Sequence, residues 1–256
     1  MVAPKRPYGH RARVIERFVW DEFLATFAEA AEAAGFTAHR FGRTAAGDLI
    51  AWEKSGEGPR VYLSAGIHGD EPAGPLALLE LVKAGAFGPG ANWALCPALN
   101  PTGLAAGTRG NAEGEDLNRD YWVRKTREVG SHVAWLQSWG VPDRFVSLHE
   151  DWETSGFYFY EINCGEDHPP RAKAIFDAVA PWFPPEPSAL IDDHEIREPG
   201  WIFHAAEADL PDHWPEAIFL AKSGCELSFT FETPSSAPLS DRVAAHVAAV
   251  KAVIAL

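Results

Sequence analysis

His68 and Glu71 stand three residues apart in His68-Gly69-Asp70-Glu71, directly after the apolar run Arg60–Ala65. An imidazole and a carboxylate so spaced, in a loop at the carboxyl end of a strand, reach one metal ion together. The carboxyl edge is where open α/β sheets place their ligands. Gly66 and Gly69 let the backbone turn tightly there. Taken alone, the pair also reads as a solvated loop histidine beside an acid. A catalytic zinc takes three protein ligands and keeps one position for water or substrate, so a third ligand has to come from another strand end. His149, closing the apolar run Phe145–Leu148, meets that requirement, although by itself it also reads as a satisfied strand-end histidine. Together the three make a His2Glu set suited to one zinc ion. Glu150 and Asp151 follow at once, either as partners that orient an imidazole or as solvated acids.

Two more clusters bear on the same chemistry. Arg109, Asn111, Asn118 and Arg119 lie in a Gly-bearing stretch and offer donors for an anion; an Arg fork matches a carboxylate bidentately. The other reading is a turn held by Asn and Asp side chains with the arginines in water. In Ser228-Phe229-Thr230-Phe231-Glu232, alternation puts Glu232 on one face with Glu226, Ser228 and Thr230, opposite Cys225, Leu227, Phe229 and Phe231. A carboxylate ending an apolar strand needs a partner or solvent. Beside a metal centre it suits a general base that takes a proton from water and delivers it to a leaving nitrogen.

Positioning these groups requires a set of alternating elements. The pattern predicts a helix over Phe18–Ala34 closed by Gly35, a hairpin of Thr37–Arg43 and Asp48–Lys54, and a turn at Ser55–Pro59. A strand over Arg60–Ala65 precedes a helix from Pro72 to about Val82, and Asn92–Cys96 is again a strand. Pro97–Asn118 reads as irregular. A helix covers Arg124–Trp139, strands cover Arg144–Leu148 and Phe157–Ile162, and Arg171–Val179 is helical. Trp182–Pro215, rich in Pro, Trp and Asp, reads as a surface excursion. Cys225–Thr233 is a strand, and Ser240 caps a last helix running to about Ile254. Strand–helix–strand order means an α/β fold, an open sheet with helices on both faces. No repeat or linker divides the chain, so residues 1–256 are expected to form one domain.

Composition narrows the function. The chain has 256 residues and a net charge of -14, with no Lys/Arg run. Such acidity repels nucleic acid and anionic membranes. Cys96, Cys164 and Cys225 include no C-x-x-C pair, which excludes a disulfide framework and a thiolate zinc site and leaves each to be a small buried apolar residue. Residues 1–10 lack the apolar segment of a signal peptide, and no apolar window is long enough to span a bilayer. A reducing, cytoplasmic setting follows as the expectation. There is no G-x-S-x-G elbow and no phosphate-binding Gly loop. His194, His204 and His213 read either as further metal ligands or as residues of a specificity loop. Trp152 and Trp201 are candidates to line a pocket.

The combined set His68-x-x-Glu71, Arg109-x-Asn111-x-x-Gly114-x-Asp116-Leu117-Asn118-Arg119, His149 and Phe229-Thr230-Phe231-Glu232 resembles the zinc carboxypeptidase superfamily (the M14 type) over Arg60–Pro234. The compact spacing is similar to the murein-peptide amidase and aspartoacylase–succinylglutamate desuccinylase branches. The resemblance implies an α/β/α sandwich around a mixed, roughly eight-stranded sheet. It implies a single zinc held by His68, Glu71 and His149, with Glu232 as general base and Arg109 stabilising the oxyanion. Asn118 and Arg119 would clamp a substrate carboxylate. The implied activity is cleavage of an amide bond next to a free carboxylate, on a peptide or on an acyl-amino acid. The other alternative is a non-catalytic binding protein on the same fold. The family's substrate-contacting Tyr has no clear place, since Tyr158 and Tyr160 both follow soon after His149.

Overall fold

The computed structural model describes residues 17–254; the reading of residues 1–10 lies outside them. The first element, α1 (Trp20–Ala33), buries Trp20, Phe23, Phe27 and Ala31, a stripe at helical spacing. Gly35, at φ 82°, closes it as expected. Strands β1 (Thr37–Thr44) and β2 (Gly47–Lys54) form the predicted hairpin, followed by β3 (Arg60–Ala65), α2 (Ala73–Lys83) and β4 (Asn92–Cys96). Pro72 sits at the N-cap of α2, one place before the first helical position expected for it.

Helix α3 (Pro101–Ala106) corrects the expectation that Pro97–Asn118 is irregular throughout. Asn100 supplies its cap by accepting a hydrogen bond from the Gly103 N–H at 2.9 Å, and Pro101 sits at the start. A 3-10 turn spans Leu117–Arg119, and α4 (Arg127–Trp139) begins at the Thr126 cap, later than Arg124. Arg124 has φ 58°, outside helical geometry. Strands β5 (Arg144–Asp151) and β6 (Tyr158–Asn163) and helix α5 (Pro170–Val179) come next.

The segment Trp182–Pro215 is not wholly an excursion. It holds the short hairpin β7 (Leu190–Ile191) and β8 (His194–Glu195), and then β9 (Trp201–Phe203), the strand at one edge of the main sheet. Helix α6 (Glu216–Lys222), which the sequence pattern did not indicate, leads into β10 (Leu227–Pro234). The last helix, α7 (Leu239–Ile254), already contains Ser240, so that residue is not its cap.

The main sheet has eight strands in the order β1-β2-β4-β3-β5-β10-β6-β9. Its centre, β4-β3-β5-β10, is parallel; β1–β2, β2–β4 and β10–β6 pair antiparallel, and β9 lies parallel to β6. Val61, Leu63, Ala65, Val146, Leu148, Phe229 and Phe231 pack with α1, α2, α5 and α7 on one face. Tyr62, Ala94, Cys96 and Phe145 pack with α4 and α6 on the other. The chain is thus an α/β protein with a mixed eight-stranded sheet between helical layers. Because β3, β5 and β10 are adjacent and parallel, their carboxyl ends share one edge, the place where a ligand site is expected in an open sheet. Among the described residues, no helix is long and apolar enough to cross a membrane.

Candidate active site

His68 and Glu71 occupy the loop between β3 and α2 and are both buried. Gly66, at φ 64°, turns the chain away from β3. Gly69 lets the loop meet α3: a Cβ there would lie 1.9 Å from the Gly103 carbonyl carbon. His149 lies inside β5 rather than at its end, because β10 continues the pairing through Asp151. Its side chain projects from the α4/α6 face, alternating with Leu148 and Glu150.

The three side chains meet. His68 Nδ1 is 2.7 Å from Glu71 Oε1, and His149 Nδ1 is 3.0 Å from Glu71 Oε2. His68 Nε2 is 3.2 Å from Asp116 Oδ1, which accepts its N–H. A neutral His68 therefore turns the lone pair of Nδ1 onto a carboxylate. Such a contact needs a proton or a metal cation between the two groups, which is the chemistry expected of a His2Glu metal set. Burial opposes charge on His68, but Glu71 and Asp116 outweigh it and lift its pKa to about 9. Glu71 is buried too, yet the two imidazoles hold its carboxyl well below the usual range. Burial lowers the pKa of His149 despite Glu71.

Glu232 lies on β10 in register with His149 and faces the same cleft. Burial, and then the carboxylates of Glu71 and Asp151, push its pKa up. Arg109 reaches the cluster from the loop after α3. Its Nε and Nη2 contact Asp116 Oδ2 at 3.2 and 3.1 Å, and its Nη1 is 3.4 Å from Glu71 Oε1. Asn118 accepts a hydrogen bond from the Glu216 N–H at 3.0 Å, so its NH2 is what it can offer a ligand. Arg119 Nη1 donates to the Asn118 carbonyl at 3.0 Å. All seven residues singled out for the site line or adjoin one cleft of about 800 Å³.

Other expectations fare differently. Asp116, named in the motif but given no role there, orients His68 and holds Arg109; its separation from His68 along the chain gave no signal. Neither Glu150 nor Asp151 bonds an imidazole: Glu150 accepts from the Ala73 N–H at 2.6 Å and pairs with Arg242 on the opposite face, and Asp151 accepts from the Tyr158 hydroxyl at 3.1 Å. Asn111 is buried and shapes the loop, accepting from the Glu113 and Glu115 N–H groups at 3.1 and 3.0 Å. Trp152 lines the cleft and is exposed, whereas Trp201 is buried against Phe159. Tyr158 and Tyr160 both line the cleft. The three cysteines are free; Cys164 is exposed, which corrects its reading as a buried apolar residue.

The profile of the Succinylglutamate desuccinylase/Aspartoacylase catalytic domain family matches residues 57–133, the segment holding His68, Glu71, Arg109, Asn118 and Arg119. No curated protein matches the chain. Among solved structures, a candidate metallopeptidase from Shewanella denitrificans OS217 is 28% identical, covering 92% of this chain and 89% of that one, with a TM-score of 0.80. Another from Shewanella amazonensis SB2B is 26% identical over 91% of each chain, with a TM-score of 0.81. A metallo-carboxypeptidase from Pseudomonas aeruginosa shares the fold at 20% identity, covering 89% of this chain and 68% of that one, with a TM-score of 0.60. In its mixed eight-stranded sheet and by these matches, the chain has the fold of the zinc carboxypeptidases (M14 type).

Proposed function

We propose that this protein is a zinc-dependent hydrolase of amide bonds adjacent to a free carboxylate, acting as a carboxypeptidase-like peptidase. The observation that carries this reading is the meeting of the His68 and His149 Nδ1 atoms on the two oxygens of Glu71, with Glu232 in register beside His149. His68, Glu71 and His149 would hold one zinc ion, which polarises a carbonyl and acidifies water when bound. Glu232 takes a proton from the attacking water and returns it to the leaving nitrogen. Its place beside the cluster, buried and with Glu71 and Asp151 raising its pKa, suits a group that both takes and gives a proton. Arg109, kept in place by Asp116, donates through Nη1 to the oxygen that gains charge. Arg119 and the Asn118 NH2 clamp the substrate carboxylate and so fix the scissile bond.

The cleft favours a peptide. Among the described residues, Arg109 and Arg119 are its only Lys or Arg side chains, against Asp151, Glu153, Asp192, Asp193 and Asp209 among its acids. One carboxylate can be clamped there, while a second negative group would meet the acidic wall. The competing reading, a deacylase of acyl-amino acids, is favoured by the profile match over residues 57–133. Zinc-loaded protein assayed on short peptides, their C-terminal amides and N-acyl-amino acids separates the two. Cleavage of peptides, lost on C-terminal amidation, is expected. Cleavage confined to acyl-amino acids would transfer the assignment to the deacylase, and no cleavage of any of them would sink both.

A further inference from the structure

Among the described residues, a second group of side chains is arranged to hold a metal ion, on another part of the cleft wall: His194, His204 and Asp209. Each comes from a different local element. His194 starts β8, directly after the hairpin turn in which Asp192 and Asp193 adopt φ 49° and 62°. His204 follows β9, and its backbone N–H donates to the Glu161 carbonyl at 2.8 Å, extending that strand's hold on β6. Asp209 belongs to the loop that returns toward α6, and its side chain is 65% exposed.

The geometry is that of ligands and not of hydrogen bonds. His194 Nε2 and His204 Nε2 each stand 3.6 Å from a different oxygen of Asp209. That is too long for an N–H···O bond, whose usual limit is about 3.2 Å. Ligand atoms about 2.0 Å from a tetrahedral zinc lie about 3.3 Å from one another. His204 Nδ1 donates to the Ala205 carbonyl at 2.6 Å, which leaves the Nε2 lone pair for a cation. A backbone carbonyl fixing the tautomer in this way is the usual support of a metal-bound histidine. The imidazoles are held with their centroids 4.7 Å apart at 76°, and the Tyr160 ring packs edge-on against both. Tyr160 is itself tied to the hairpin through its hydroxyl, which donates to Asp192 at 3.1 Å.

We propose that His194, His204 and Asp209 form a second divalent-cation site, separate from the His68–Glu71–His149 cluster. Two imidazoles and one carboxylate select an ion of the zinc, cobalt or nickel class over magnesium or calcium. The ion ties the β7–β8 hairpin to the segment after β9 and places positive charge on a wall otherwise rich in acids. Its role is to hold that wall of the cleft in shape.

The test is metal stoichiometry. Protein stripped with a chelator is reloaded with Zn2+, passed through gel filtration and measured by elemental analysis. Wild type is expected to retain two equivalents, and His194→Ala and His204→Ala one each. Asp209→Asn, at an exposed position that does not threaten folding, should weaken the second equivalent at least tenfold. In a His68→Ala/His149→Ala variant, added Zn2+ should still raise the melting temperature and added Co2+ should still give a visible absorption band. A His68→Ala/His149→Ala variant that retains no zinc overturns the site. So does a full complement in both alanine variants, or unchanged affinity in Asp209→Asn. The outcome does not depend on turnover: two equivalents without hydrolysis would sink only the proposed activity, and one equivalent with hydrolysis would sink only this site.

Discussion

Glu232 and His149 are direct register partners across the parallel pair β10–β5. Their side chains therefore leave the same face of the sheet side by side, at the edge where the β3 loop brings in His68 and Glu71. The sheet sets the distance between the candidate base and the metal cluster, and no flexible loop intervenes on that side.

Glu232→Gln keeps the shape of the side chain but removes the proton acceptor. Since proton transfer by a placed side chain is worth about 10²–10⁴ in rate, kcat should fall by about 10³ or more. Bound zinc should stay at the wild-type level, because Glu232 is outside the cluster of His68, Glu71 and His149. Steady-state kinetics with elemental analysis on one preparation reads both; retention of full activity would remove Glu232 from the mechanism.

Asp116→Asn tests positioning at a residue that touches neither the reacting bond nor the other two candidate ligands. It weakens the acceptor on His68 Nε2 and the ion pair to Arg109 together. Loss of such an outer partner typically costs 10–100-fold in metal affinity. Competition for zinc with a coloured chelator measures this, and Asp116→Glu should restore part of the loss. An unchanged zinc affinity would reduce Asp116 to a loop residue.

Chelation should destabilise the fold, because an ion bound only by the folded state adds its binding energy to stability. At zinc about 1,000-fold above its dissociation constant the gain is about 4 kcal/mol, on the order of 10 °C for a chain of this size. Calorimetry in the His204→Ala background isolates the cluster at His68. A melting temperature indifferent to chelator would mean that the cluster does not bind metal in solution.

Much of the site was legible because its chemistry sits beside strong strand signals. Val61–Ala65 and Phe145–Leu148 are apolar runs bounded by turn residues, and they make neighbouring central strands. The less legible parts depend on contacts far apart in sequence. His149 falls inside β5 because β10 extends the pairing, and Glu150 tolerates burial there through Arg242 and the Ala73 N–H. Helix α3 hides behind Gly103, a poor helix former that is needed because a Cβ would lie 2.4 Å from Asn100 Nδ2. Helix α6 carries a buried acid, Glu216, near its start, which breaks the expected amphipathic pattern; its partners Tyr62 and Ser64 are on β3. Asp116 could be matched to His68 only once the loop had folded over the β3 end.

Arg119→Lys keeps the charge and loses the planar fork that pairs both oxygens of a carboxylate. Arg119 is exposed on the cleft, and among the described residues its side chain hydrogen-bonds only its neighbour's carbonyl, so stability should be unaffected. With peptide substrates KM should rise about tenfold or more, while kcat changes less. Peptide amides, already poor substrates, should show little further effect. Equal losses on acids and amides would mean that Arg119 does not recognise the carboxylate.

Glu216 gives a pH signature separate from catalysis. Its carboxyl is buried, with Tyr62 and Ser64 donating to it at 2.9 and 2.7 Å. Burial outweighs those hydrogen bonds and raises its pKa from 4.5 to about 7. Nearby His132, bonded to Tyr62 and Tyr121, is lowered by burial to about 3 and supplies no compensating charge. The folded state therefore holds a proton that the unfolded chain releases above about pH 4.5. This contribution to stability is complete below that pH and is lost as pH rises through about 7, amounting to roughly 3 kcal/mol. Glu216→Gln cannot ionise, so its stability should decline less than that of the wild type between pH 5 and 8, with the two curves converging or crossing at the alkaline end. Urea unfolding at several pH values measures the difference. Parallel curves would show that Glu216 stays ionised throughout, with a cation or water compensating its charge.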